Sequence, residues 1–391
     1  MRRVVSGCVA VMLLSAWLPA QNSADPFIAA IEAAQAGREG ELVALTLEAA
    51  MQKAAVPGMS IAVIRDFDIH WSRGYGVADL ASGMTTTADT LFQAASISKP
   101  IAAMAVLKAV QDGRFTLDDD VNRLLTSWQV PSSEHTATQP VTLRGLLSHT
   151  SGTDDGFGFP GYHPSVPVPT PVQILNGDKP SNVGAVRIGR PPLTAAKYSG
   201  GAVTLAQLLL TDVLKRPFPD ILRDSVLDPL GMKHSSYEQP LSPERDKAAA
   251  RAHDRTGAAR DTKWHVYPEL AAAGLWTTSP DLARFGIELQ KSLQGRSNRV
   301  LSRATAMEMA TPVGVGPFAI GMQIEKRGEG WYLQHGGSNW GFQCLLVVHK
   351  LKGYGFAAMT NSDAGGRLLA ELQQRVAAAY NWDTLDTPLR R

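Results

Sequence analysis

The sequence predicts an α+β protein in which one antiparallel sheet carries a mainly helical insertion. Three observations predict it. Strand-like runs lie near both ends of the chain: "MSIAVIRD" and "DIHWSRGYGVAD" early, then "AIGMQIEK", "GWYLQHGG", "GFQCLLVVHK" and "YGFAAMTNS" late. Short turns separate the late runs, as in an antiparallel meander. From Thr90 to about Pro312 the apolar periodicity is mainly helical. Strands at both ends with helices between them give one domain over residues 21–391, with a sheet part at about 25–89 and 313–391 and a helical part at about 90–312.

Composition fits a folded, exported protein. The chain has 391 residues and 44% hydrophobic content, enough for a buried core and inconsistent with disorder. With 38 basic and 36 acidic residues the net charge is +2, and no basic stripe marks a nucleic-acid partner. Residues 1–20, "MRRVVSGCVAVMLLSAWLPA", have the basic start, apolar middle and small-residue end of a signal peptide, so a periplasmic or secreted location is expected. An uncleaved anchor is the alternative reading, although the apolar run is short for a span. After cleavage Cys344 is the only cysteine left, which leaves no internal disulfide and a small core residue in a strand. Nine histidines are scattered without metal spacing, and no metal or other cofactor is expected.

In chain order, a helical stretch near Pro26–Val56 comes first, and the first two strands join at Asp66–Asp68. "LDDDV" at Leu117–Val121 reads as a polar helix start. Thr153–Lys197, rich in Pro and Gly, is a long irregular segment of the kind that is functional or mobile. Within it "GFGFPG" matches a nucleotide-loop pattern, but no strand precedes it, so that role is set aside. A last helix is expected at about Gly366–Tyr380.

The stretch "ASISKPIAAM" carries the chemistry. The residues after Pro100 are apolar nearly all round, as in a buried helix. Proline fits only the first helical turn, which pins the helix start close to Ser96. Lys99 then shares a face with Ser96 and is buried with it. A buried, hydrogen-bonded lysine can take a proton from a serine hydroxyl, and the helix N-terminus favours an oxyanion beside it. The competing reading is a serine cap with an exposed lysine. Tyr198, just before a helix expected to start near Thr204, reads alone as a packing tyrosine. His335-Gly336-Gly337, at the end of one strand, reads alone as an ordinary strand end.

Taken in order, these stretches resemble the penicillin-recognising serine hydrolases: class C β-lactamases, serine DD-peptidases and related esterases. Ser96-x-x-Lys99 resembles the first motif of that family, Tyr198-Ser199-Gly200 its Tyr-x-Asn motif, and His335-Gly336-Gly337 its Lys-Thr-Gly motif. "LRGLLSHTSG", "LDPLGM", "AAGLWTTSPDLARF" and "HGGSNWGF" extend the resemblance from about Val56 to Ser362.

The resemblance implies an antiparallel five-stranded sheet flanked by helices. It also implies a serine hydrolase in which Ser96 forms an acyl-enzyme, Lys99 and Tyr198 share the proton and His335 orients the tyrosine or touches substrate. The oxyanion would lie between the backbone N–H groups of Ser96 and Ser338. Gly200, Gly336, Gly337 and Trp340 would face a small ester, amide or peptide substrate, with simple packing the alternative for Trp340. His149 is expected to stabilise a turn. Two departures matter: Gly200 stands where the lactamases have an asparagine, and His335 where they have a lysine. Esters or small amides are therefore the expected substrates, with β-lactams and D-amino-acid peptides as alternatives. A protein of the same fold that only binds peptidoglycan-like ligands is the alternative of another class.

Overall fold

The computed structural model describes residues 23–155 and 158–383. The expected signal segment, residues 1–20, lies outside the described residues. β1 (Gly58–Arg65) and β2 (Asp68–Asp79) form a hairpin. Asp66 and Phe67 close it with φ of 54° and 62°, two consecutive left-handed residues as a type I′ turn requires. β3 (Met84–Thr85) adds to β2 at one edge. β4 (Phe92–Gln93) pairs with β5 (Trp276–Thr277) in a separate ribbon. β6 (Gln323–Arg327), β7 (Gly330–Asn339), β8 (Phe342–His349) and β9 (Gly355–Thr360) form the late meander, and β9 pairs antiparallel with β1.

The two ends of the chain thus share one sheet, in the order β3-β2-β1-β9-β8-β7-β6. It has seven strands where five were expected. All six strand-like runs enter it, and β3, with only two residues, is too short to show a period.

β1 shows how the sheet divides the core. Its run "GMSIAVIR" is buried nearly throughout, and alternate residues serve opposite faces. Ala62 and Ile64 join the core under the helical part, whereas Met59, Ile61 and Val63 join the core on the other face. That second face is covered by α1 (Asp25–Glu32), α2 (Leu47–Lys53) and the last helix, α6 (Gly365–Ala379). The expected helix at Pro26–Val56 is therefore two helices joined by a non-helical link. Arg375 of α6 holds that link. It is wholly buried, pairs with Glu371 at 2.8 Å and donates to the carbonyls of Ile31, Ala33, Leu42 and Leu45. Carbonyls outside a helix or sheet need such donors when they are buried.

Three long helices frame the insertion: α3 (Ser98–Gln111), α4 (Gly200–Leu214) and α5 (Ser279–Leu293). Elsewhere it is less helical than expected. Between Leu227 and Leu270 there is one four-residue helix, and the described residues of the Thr153–Lys197 segment form one, Pro171–Asn176, started by a Thr170–Gln173 capping box. Asp120 caps the short helix after "LDDDV".

Candidate active site

Ser96 lies in a 3₁₀ turn, Ala95–Ile97, that runs straight into α3. The turn is strained, since Ala95 holds φ 48° without being glycine. Three contacts stabilise it. Ser98 Oγ donates to Ala95 O at 2.6 Å, Tyr237 Oη donates to Ser98 O at 2.8 Å, and Cys344 Sγ donates to Ala94 O at 2.9 Å. Cys344 therefore braces the turn as well as filling core. β7 crosses directly behind. A Cβ on Gly337 would lie 2.4 Å from both Ala94 O and Cys344 Sγ, so only glycine permits that approach.

Lys99 is 3% exposed, which excludes the reading of a surface lysine. Its Nζ donates to Ser96 Oγ at 2.9 Å and to Ala272 O at 2.7 Å. The same Nζ stands 4.9 Å from the centroid of the Tyr198 ring.

Tyr198 is clamped by a residue whose part the sequence did not reveal. His149 accepts the Ser199 N–H on Nδ1 at 3.3 Å and the Lys197 N–H on its carbonyl at 2.8 Å, and its ring lies 4.3 Å from that of Tyr198. It holds both neighbours of the tyrosine and the tyrosine itself. Burial, then the charge on Lys99, keep its pKa well below the ordinary range, so the clamp is a neutral ring. His149 itself takes φ 60°. The sequence points His149 to a turn and not to this clamp because nothing local shows a contact some 50 residues away.

α4 begins at Gly200 rather than near Thr204, with the Ser199 side chain accepting from Ala202 N at 2.8 Å. Gly200 could carry a side chain only if the Phe159 ring moved aside. A Cβ there would sit 2.5 Å from the Phe159 ring, and Phe159 lines the cleft. The Thr153–Lys197 segment thus supplies a cleft wall through Gly158, Phe159 and Pro160.

His335 lies within β7, not at its end. Its Nδ1 is 2.7 Å from Gly336 O, which can only accept, so Nδ1 carries the proton and Nε2 offers a lone pair. Nε2 is buried and unpartnered, and the ring centroid is 6.3 Å from that of Tyr198. Burial, then Lys99, lower the His335 pKa to about 4, so the ring is neutral at ordinary pH.

Ser338 faces an open sheet edge. β6 pairs with β7 only as far as Gln334. Opposite Ser338 on β8 is Gln343, whose carbonyl is turned to β9 and accepts from Thr360 Oγ1 at 3.1 Å. The N–H and C=O of one strand residue leave by the same edge, so the Ser338 backbone does not bond β8, although its Oγ accepts from Gln343 Nε2 at 2.7 Å, and its N–H points outward. Trp340, by contrast, is not among the cleft-lining residues. It stacks on His265 at 3.9 Å beneath the Arg260 guanidinium, and its N–H donates to Tyr267 Oη at 2.9 Å. Ser96, Tyr198, His335, Gly336, Gly337 and Ser338 do meet in one cleft of about 850 Å³. Among the described residues no cluster of His, Cys, Asp or Glu could hold a metal ion.

Glu269 is a residue that the sequence did not single out. It precedes the short helix Leu270–Ala273, which supplies the Ala272 carbonyl to Lys99. Both carboxyl oxygens are buried without partners, and burial pushes the pKa up to about 8. The folded chain therefore keeps a proton that the unfolded chain loses above pH of roughly 4.3, so stability falls as pH rises from there to about 8. Glu269→Gln cannot ionise and should flatten that slope, gaining on the order of 4 kcal/mol over wild type near pH 8.5 relative to pH 5. Urea unfolding at the two pH values measures this. An equal difference at both would contradict it.

A nucleophilic hydroxyl bonded to a buried amine, a phenol ring against that amine, and an outward N–H in the same cleft can together perform acyl transfer. Comparison with known proteins agrees. The family model described as Beta-lactamase matches residues 43–381. Esterase EstB of Burkholderia gladioli is 27% identical over 341 residues, covering 79% of this chain and 81% of that protein. Among solved structures, the octameric penicillin-binding protein homologue from Pyrococcus abyssi superposes with TM-score 0.68 at 22% identity, covering 85% of this chain and 75% of that one. The D-amino acid amidase from Ochrobactrum anthropi SV3, complexed with L-phenylalanine, gives TM-score 0.65 at 24% identity, covering 86% and 98%.

Proposed function

Because this chain belongs to the beta-lactamase family, whose members are serine hydrolases, we propose that it hydrolyses carboxylic esters through an acyl-enzyme on Ser96. The observation that carries this reading is the 2.9 Å bond from Lys99 Nζ to Ser96 Oγ, with Tyr198 over the amine. In the proposed cycle Ser96 Oγ attacks the carbonyl carbon and its proton passes to the Lys99–Tyr198 pair. The oxyanion is held by the N–H groups of Ser96 and Ser338, each worth roughly 3–4 kcal/mol. The C–O bond to the alcohol breaks as the pair returns the proton to the leaving oxygen. Water then repeats the steps on the acyl-enzyme and releases the acid. The His335 Nε2 lone pair orients the Tyr198 hydroxyl or a substrate N–H.

Esters are favoured over β-lactams by the two departures from the lactamase motifs. A phenyl ring fills the space beside Gly200, where an amide side chain would otherwise grip substrate. The neutral His335 offers no charge to a substrate carboxylate. Loss of a side-chain amide hydrogen bond costs about 0.5–1.5 kcal/mol and of a charged contact about 1.5–3, together about 10- to 10³-fold in discrimination. An activated ester needs neither grip. The expected result is a kcat/KM for p-nitrophenyl butyrate well above that for nitrocefin on one preparation. The reverse order would return the protein to the β-lactamases.

Export is part of the proposal and rests on the order of residues 1–20. Protein purified from a bacterial host should begin near Gln21, and N-terminal sequencing that finds Met1 on soluble cytoplasmic protein would refute it.

A further inference from the structure

The cleft does not end at the catalytic groups. It wraps the open edge of β7 onto the opposite face of the sheet, where Gln343 and Leu345 of β8 meet α6. Register requires this. His335, Gly337 and Cys344 point to the Ser96 side, whereas Gly336, Ser338, Gln343 and Leu345 point to the α6 side, and both sets line the same cleft. From α6 come Gly366, Leu369, Ala370 and Gln373. Their spacing of three, four and seven residues puts them on one helical stripe.

Three features mark this arm as built to receive something. Gly336 and Gly366 are not left-handed, and a Cβ on either would meet nothing nearer than 3.8 Å or 3.9 Å. Neither packing nor backbone requires glycine there, so what the two glycines provide is an open passage. Leu345 and Leu369 make the walls apolar. At the far end Gln373 is 6% exposed, and its Nε2 is buried without a hydrogen-bond partner. An unpaired buried amide donor is costly unless a ligand acceptor meets it.

We propose that this second arm holds the acyl chain of the ester, an apolar chain that carries a hydrogen-bond acceptor near its far end for Gln373. The inference rests on the ester-hydrolase reading and names its substrate class. Around the attacked carbon the leaving oxygen is tied to Tyr198 and the oxyanion to Ser338. The remaining substituent is the acyl chain, and the arm past Ser338 lies on the sheet face away from Tyr198. Gly366 to Gln373 is two turns of α6, about 10 Å, which an acyl chain of about eight carbons spans.

The test compares p-nitrophenyl acetate, p-nitrophenyl octanoate and an eight-carbon analogue ending in a methyl ester, on the full chain. Wild type should favour octanoate over acetate by about tenfold or more and favour the methyl-ester-ended chain further. Gly366→Leu, and separately Ala370→Trp on the same stripe, should cut octanoate turnover about tenfold while changing acetate less than about twofold, which also shows that the variants fold. Gln373→Leu should erase the preference for the terminal acceptor, about 3- to 10-fold, and leave octanoate unchanged. Acetate turnover with no chain-length preference, or with octanoate unaffected by both filling variants, overturns the inference but leaves the ester reading standing. No acetate turnover and no acylation of Ser96 overturns both.

Discussion

Ser96→Ala should abolish ester turnover, with a loss of at least about 10⁴-fold, because removing the nucleophile of a coupled set costs nearly as much as removing the set. The fold should survive. Ser96 is only partly buried, and its turn is stabilised by Ser98, Tyr237 and Cys344 rather than by Ser96 Oγ. Lys99 keeps Ala272 O as a partner when the hydroxyl is gone. A fluorophosphonate probe should add its mass to wild type and not to the variant, which separates a hydrolase from a protein of this fold that only binds. Thermal unfolding supplies the folding control. If a folded Ser96→Ala protein retains more than a few per cent of the rate, Ser96 is not the nucleophile.

That prediction was legible in the sequence because its grounds are local. Pro100 can occupy only a first helical turn, and the apolar run behind it buries that turn, so Ser96 and Lys99 had to share a face. The long strands were legible for the same reason, since an apolar run between turn residues is a local signal. What escaped depends on contacts between distant segments. Phe159 fills the space over Gly200 because a loop folds back some 40 residues later, and nothing around either residue announces it. His149 clamps Tyr198 across a similar gap. Glu269 stands in "YPELAAAG", which reads as an ordinary helix start, and only packing on every side makes its carboxyl hold a proton. Trp340 was ambiguous because its position beside the third motif fixes where its backbone runs but not where its ring points. The ring turns to His265 and away from the cleft.

Lys99→Met and Tyr198→Phe should each lower kcat/KM about 10²- to 10⁴-fold, the range for loss of a positioned acid–base group. The two differ in what else they disturb, and that difference tests the geometry. Phenylalanine keeps the ring that packs on His149, so Tyr198→Phe should lose rate with little loss of stability. Methionine keeps the apolar stem of Lys99 but removes a buried charge, which relieves its desolvation and leaves Ala272 O without that donor, two effects of opposite sign. The Lys99 charge also helps to hold His335 down at about 4 and His149 well below the ordinary range. Without it, imidazolium is less disfavoured, so both pKa values should rise while staying below roughly 6.5, because burial remains the larger cause. NMR titration of the two rings reads that rise independently of turnover. Normal rates in both variants would remove the pair from the proton pathway. A rate loss in Lys99→Met with neither histidine shifted would mean that burial alone holds the two rings neutral and that Lys99 acts only on Ser96 and Tyr198.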